Sequence, residues 1–139
     1  MNIKKIIYLI LTINLIMLNV GCLEKTNDKL YFDNIILESN VVELVNASMN
    51  FKYDKTNTIT RVEVIYLFKN IANYIIKKLN ITVEFFDTEN NLIAISETKY
   101  IRNMPVNYVE TSVMEANIIT YENSDSNLID HCRIIAIEE

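Results

Sequence analysis

Between Leu79 and Asp87 the chain alternates strictly, with Leu79, Ile81, Val83 and Phe85 at one set of positions and Asn80, Thr82 and Glu84 at the other. Successive side chains on an extended backbone point to opposite faces, so this period of two predicts a half-buried strand. The same period runs upstream, where Val62, Val64, Tyr66 and Phe68 alternate with Glu63, Ile65, Leu67 and Lys69. Residues 87–91, Asp-Thr-Glu-Asn-Asn, supply a turn, and 92–101 follow as the second arm of a hairpin. Further strands are expected over 40–53, over 106–118 after Pro105, and over 132–139. About seven short antiparallel strands predict an all-β sandwich of two facing sheets. One stretch carries a competing period: Ile65, Phe68, Ala72, Ile75, Ile76 and Leu79 also fall at helical spacing, with no Gly or Pro between them. An α+β arrangement with a helix over 61–80 therefore stays open beside the sandwich, against the β-branched content of the segment and its Asn70 to Asn73 stretch.

The first 21 residues follow a different pattern. Lys4 and Lys5 precede an apolar run from Ile6 to Val20, interrupted only by Thr12, Asn14 and Asn19, and Gly21-Cys22 closes it. A basic start, an apolar core and a small residue before a cut describe a secretory signal, whereas a spanning helix wants about 20 apolar residues. Gly21 is the only glycine in the chain. A peptidase that grips an extended backbone at the cleaved bond accepts only a small side chain there, which assigns Gly21 to signal cleavage. Leu18-Asn19-Val20-Gly21-Cys22 resembles the lipobox of membrane lipoproteins, although the leucine stands one place further from the cysteine than in that pattern. The resemblance implies that Cys22 is alkylated by lipid and becomes the new N-terminus, held in the bilayer by about 0.8 kcal/mol per buried methylene. The remaining readings are an uncleaved N-terminal anchor helix and an unmodified Cys22. Residues 22–29 carry no apolar periodicity and read as a polar tether, and the sandwich domain is expected over 30–139.

Composition narrows the picture. Glycine and proline occur once each, so asparagine and aspartate must make the turns, being the non-glycine residues that best tolerate the left-handed region. Removing residues 1–21 takes away two lysines and no acid, leaving 11 basic against 18 acidic residues. A polyanion or an anionic headgroup surface needs a basic stripe. Lys77-Lys78 is too short to supply one, so nucleic acid is not an expected partner.

Candidate chemistry is sparse. Cys22 and Cys132 are the only cysteines. With Cys22 lipidated, Cys132 is a lone thiol read as a small buried hydrophobe, and a Cys22–Cys132 disulfide belongs to an unlipidated secreted form. His131 is the only histidine; in a strand, its neighbours Asp130 and Cys132 point to the opposite face, so adjacency makes no nucleophile–base pair. Asp87 and Glu89 beside Asn90 and Asn91 read as a turn rather than a calcium site. No metal, cofactor or catalytic group is expected, and the protein is read as a non-enzyme. Asn46-Ala47-Ser48 and Asn80-Ile81-Thr82 match the acceptor pattern for N-glycosylation, making Asn46 and Asn80 candidate sites in an exported chain.

The order Val-Glu-Val-Ile-Tyr-Leu-Phe-Lys-Asn (62–70), a loop over 71–78, and a strand ending Phe85-Phe86-Asp87 resembles the FxLYD-type domains over about 50 residues, from Val62 to about Val113. In that family a strand ending in asparagine precedes one ending in two aromatics and an aspartate, followed by a turn with glycine, where Asn91 is aligned here. The resemblance implies an immunoglobulin-like β-sandwich on an exported protein, without catalytic residues, in which Asn70 caps the loose loop and Asp87 accepts bonds from the amides of its turn. The expected function is that of a lipid-anchored module at the outer face of the cytoplasmic membrane or in the cell envelope, which binds an envelope protein or assists a neighbouring complex. The alternative is an accessory subunit holding a small ligand. A pocket lined by Tyr66, Tyr74, Phe86 and Tyr108 would favour the ligand, and a flat apolar patch would favour protein contact.

Overall fold

The computed structural model describes residues 32–139. Gly21, Cys22 and the tether over 22–29 lie outside the described residues. Eight strands follow in order: β1 Ile35–Glu38, β2 Val42–Tyr53, β3 Ile59–Asn70, β4 Ile76–Phe86, β5 Leu92–Ile95, β6 Lys99–Met104, β7 Ile118–Tyr121 and β8 His131–Glu138. One sheet has the order β1-β8-β4, with β5 and β6 both paired to the other side of β4; the second has the order β2-β3-β7. The chain thus crosses between sheets after β1, β3, β6 and β7, giving the all-β sandwich expected from the alternation.

The buried faces are those the period of two marks. Val62, Val64, Tyr66 and Phe68 from β3 meet Leu79, Ile81, Val83 and Phe85 from β4, all with no accessible surface. The two layers are joined across the core by Phe85 of one sheet and Tyr121 of the other, ring centroids 5.5 Å apart. On the outer face of β4, Thr82 and Glu84 stand half-buried, with Thr98 and Ile95 on one side and Ile135 and Arg133 on the other.

Four details differ from the sequence expectation. The helix over 61–80 does not form: its set of helically spaced apolar residues is divided, with Phe68 buried in β3 and Ile75 exposed in the following loop. The strand expected over 92–101 is divided at residues 96–98, where Ser96 turns its hydroxyl to accept the Val83 amide at 2.9 Å. Counted as one interrupted edge strand, β5 and β6 leave seven strand positions. β1, which shows too little alternation to be read from sequence, lies parallel to β8, pairing Ile35 with Cys132 and Glu38 with Ile135, so the sandwich is not wholly antiparallel.

The fourth difference is the stretch over 106–118, where no continuous strand forms. Val109 makes a single bridge to Lys69. Glu110 then donates its amide to the Phe68 carbonyl at 3.1 Å, while its carboxylate accepts the Phe68 amide at 2.8 Å. The chain loops out over 111–114, and the buried Asn117 returns to donate to the same carboxylate oxygen at 2.8 Å. Tyr66 spans the gap by donating to the Ala116 carbonyl at 2.7 Å. A side chain thus replaces the backbone partner that β3 lacks between its pairing with Val109 and its pairing with β7. Burial, with Glu110 nearby as a negative charge, raises the Tyr66 hydroxyl well above its ordinary pKa and keeps it a neutral donor.

Turn chemistry follows the shortage of glycine. Asn34, Asn57, Asn90, Asn103 and Asn107 have positive φ, between 53° and 66°. Every left-handed position among the described residues is therefore an asparagine, the residue whose short amide best tolerates that region after glycine.

Glu110→Ala is expected to lower stability by about 2–4 kcal/mol, because the buried Phe68 amide and the Asn117 amide lose their acceptor. Urea unfolding should show a lower midpoint with an unchanged slope, and Val113→Ala, at an exposed position, should leave the midpoint in place.

Candidate functional site

The end of the sandwich at which β3 finishes is organised by one buried side chain. Asn70 has no accessible surface. Its Nδ2 donates to the carbonyls of Tyr74 at 3.1 Å, Met104 at 2.9 Å and Pro105 at 2.9 Å, and its Oδ1 accepts the Ala72 amide at 2.8 Å. Its backbone amide donates to the Tyr108 carbonyl at 3.0 Å. The loop over 71–75 and the turn over 105–108 are thus clamped to one another. The neighbouring Ile71 amide donates to the Val41 carbonyl, which ties in the β1–β2 connection. The structural capping role implied for Asn70 extends to two loops rather than one.

These loops present Ile71, Tyr74, Ile75, Val106, Tyr108 and Val109 to solvent, each between 36% and 56% exposed. No charged residue occurs over 70–76 or 103–109. Glu138 is engaged beside them: it accepts the Tyr74 hydroxyl at 2.7 Å, and that bond raises the phenol pKa. Exposed apolar residues scattered singly need no explanation, but six on two joined loops form a patch of the kind that marks contact sites. Tyrosine and asparagine among aliphatic residues also match the loops of sandwich domains that bind proteins: a tyrosine offers large contact area at low entropic cost.

The four aromatics considered for a ligand pocket do not converge. Tyr66 lies in the core. Tyr74 and Tyr108 stand on the clamped loops. Phe86 is at the opposite end, stacked on His131 with centroids 5.3 Å apart. There a shallow groove of about 390 Å³ runs between β1, β4 and β8, lined by Ile36, Glu38, Phe86, Asn90, His131 and Arg133 among others. Its cation is already committed, with Arg133 3.2 Å from Glu84, 3.5 Å from Glu38 and over the Phe86 ring.

The remaining residues singled out from sequence have local roles. His131 Nδ1 lies 3.1 Å from Asp130 Oδ2, a contact that alternation did not foresee because Asp130 precedes the strand. Cys132 is on the opposite face from His131, buried, and its thiol is pushed up to about 12 by burial, so no nucleophile–base pair forms. Among the described residues no group of three or more His, Cys, Asp or Glu converges to hold a metal ion.

Asp87 accepts the amides of Glu89 at 2.9 Å and Asn91 at 2.8 Å, and the Asn91 side chain donates to its second oxygen at 2.9 Å. Asn90, not Asn91, takes the left-handed conformation that glycine would supply. Asn46 is exposed on β2 beside a register shift, whereas Asn80 is half-buried and donates to Glu139 at 3.0 Å.

Sequence reasoning missed the Asn70-clamped surface as a unit, since its two halves lie about 30 residues apart. The absence of charge over 70–76 and 103–109 was the available signal. Comparison with protein-family models, with curated proteins and with solved structures finds no match to this chain.

Two outcomes are expected. Asn70→Ala should lower stability by about 2–4 kcal/mol in urea unfolding, because three buried or half-buried carbonyls and one amide lose their partner at once. For Asp87, the hydrogen bonds from Asn91 and then Glu89 hold the carboxyl below its ordinary 3.8. A depressed folded pKa adds stability above the unfolded value, and that contribution is lost as pH falls through the folded one. Unfolding midpoints followed below pH 4 should therefore decline less steeply in Asp87→Asn than in the native protein.

Proposed function

We propose that this protein is a lipid-anchored envelope lipoprotein whose FxLYD-like sandwich is a non-catalytic binding module. The observation that carries the anchor is the run from Lys4 to Cys22, a basic start, an apolar core and Gly21 directly before the cysteine. Cleavage at Gly21 and alkylation of the Cys22 sulfur would leave residues 22–29 as a tether at the outer membrane face or in the envelope.

The module reading draws support from the Asn70 clamp and the Asp87 turn, which use the two polar residues that the FxLYD resemblance singles out. Contact with another protein is favoured over a small ligand because six exposed apolar residues share two joined loops at one end of the sandwich, while the candidate aromatics are dispersed.

In the native host, mass spectrometry of the mature chain should begin at Cys22 and carry a lipid adduct, and the protein should sediment with membranes. Cys22→Ser should release the folded domain or leave an unprocessed precursor of larger mass. A mature native chain that retains Met1, or one that starts at an unmodified Cys22, would falsify the anchor.

A further inference from the structure

We infer that the Asn70-clamped loops form a membrane-distal docking tip for a second exported protein, one that offers an uncharged, apolar-centred surface. This inference rests on the anchored reading above for the orientation of the domain; the chemistry of the tip stands independently of it.

The orientation follows from where the chain enters the sandwich. β1 starts beside the beginning of β8, Ile35 pairing with Cys132, and Phe86 at the end of β4 pairs with His131. The described chain therefore begins at the end that carries the Asp87 turn. Asn70, by contrast, joins Met104, and Met104 pairs with Ile76 at the start of β4. The full length of β4, 11 residues, separates the two ends, a span of about 35 Å at the usual strand rise. From Cys22 to Phe32 there are ten residue steps, which reach at most about 36 Å when completely extended. Laying the tip on the bilayer would use that whole reach to stand the domain upside down. With the tether at any shorter extension, the tip cannot be set end-on against the bilayer.

The same geometry argues against a second copy. Two tips meeting head to head would direct their two anchors in opposite directions, which one membrane cannot satisfy. The loops also lack the basic residues that would suit an anionic surface. What remains is an apolar patch of six side chains on a rigid base, held by four hydrogen bonds from one buried amide. A surface ordered before binding loses little conformational entropy on docking, and its two tyrosines, Tyr74 and Tyr108, are the residue type enriched among energetic anchors.

The test uses the full chain, expressed in its native host with a photo-crosslinking amino acid at Tyr108, or at Thr88 on the opposite turn as the control. Irradiation at position 108 is expected to give one predominant adduct with an exported protein, identified by sequencing the joined peptides. That protein, purified, should bind the native full-length chain in detergent at least about tenfold more tightly than an Ile71→Asp/Val106→Asp variant. The variant must keep Cys132 unreactive to a thiol reagent until denaturant is added, which verifies its fold; if the acidic pair fails that check, the milder Ile71→Ser/Val106→Ser pair takes its place under the same criterion.

Adducts to lipid, to envelope polysaccharide or only to a second copy would each overturn the proposal. So would no adduct at position 108, equal adducts from position 88, or undiminished binding by the folded variant. Mass spectrometry of the mature native N-terminus, run beside these, separates the two ideas. A native chain that retains Met1 or starts at an unmodified Cys22 removes the lipid anchor, while the crosslinks at position 108 still judge the tip.

Discussion

The buried amide of Asn70 is the constraint on which the rest of this structure turns. β3 ends there, the chain leaves one sheet for the other, and three carbonyls and an amide of two loops would otherwise lie with unmet hydrogen-bonding demand at the end of an apolar core. Such groups are costly when unpaired, and a single carboxamide, with two donors and two acceptor lone pairs, can meet several of them at once. Because Asn70 is fully enclosed, its bonds compete with no water. The loops it holds are consequently specified, although they contain neither glycine nor a disulfide.

Glu110 solves a related problem along the edge of β3. Where 111–114 leave the ladder, its carboxylate and amide both engage Phe68, and Asn117 closes the far side of the break. The buried polar side chains thus sit where strand pairing fails, and among the described residues no buried side-chain nitrogen or oxygen is left without a partner. Together, Asn70 and Glu110 let the core of Tyr66, Phe68, Ile81 and Phe85 continue to the end of the sandwich. The apolar loops beyond it are held in place without being drawn in, and this is how a structural device becomes an exposed surface.

Charge distribution complements that arrangement. The acidic and basic residues on the sheet faces are largely matched with one another, as in Arg61 with Glu63 at 2.9 Å and Lys69 with Glu43 at 2.8 Å. Exposed pairs of this kind add little stability. Their more useful consequence is to set the charged sheet faces apart from loops that carry no charge of their own.

The strands with strict alternation were legible without a structure, because a period of two fixes which side chains meet the core whatever the topology. Val62 to Phe68 and Leu79 to Phe85 are buried as their spacing demands, and the asparagines do supply the left-handed turns in a chain with one glycine. The proposed anchor signal likewise rests on sequence alone, as a linear pattern of basic start, apolar run and Gly21-Cys22. Tertiary structure decided the rest. Four residues of β1 carry too little pattern to announce themselves, and they become a strand only because the edge of β8 offers partners. The apolar residues over 106–118 suggested a strand, but Glu110 turned inward and broke it. Which Asn of the 87–91 turn adopts positive φ depended on the bonds to Asp87. The joining of 71–75 with 105–108 arises from hydrogen bonds between segments about 30 residues apart, and local sequence holds no record of such contacts.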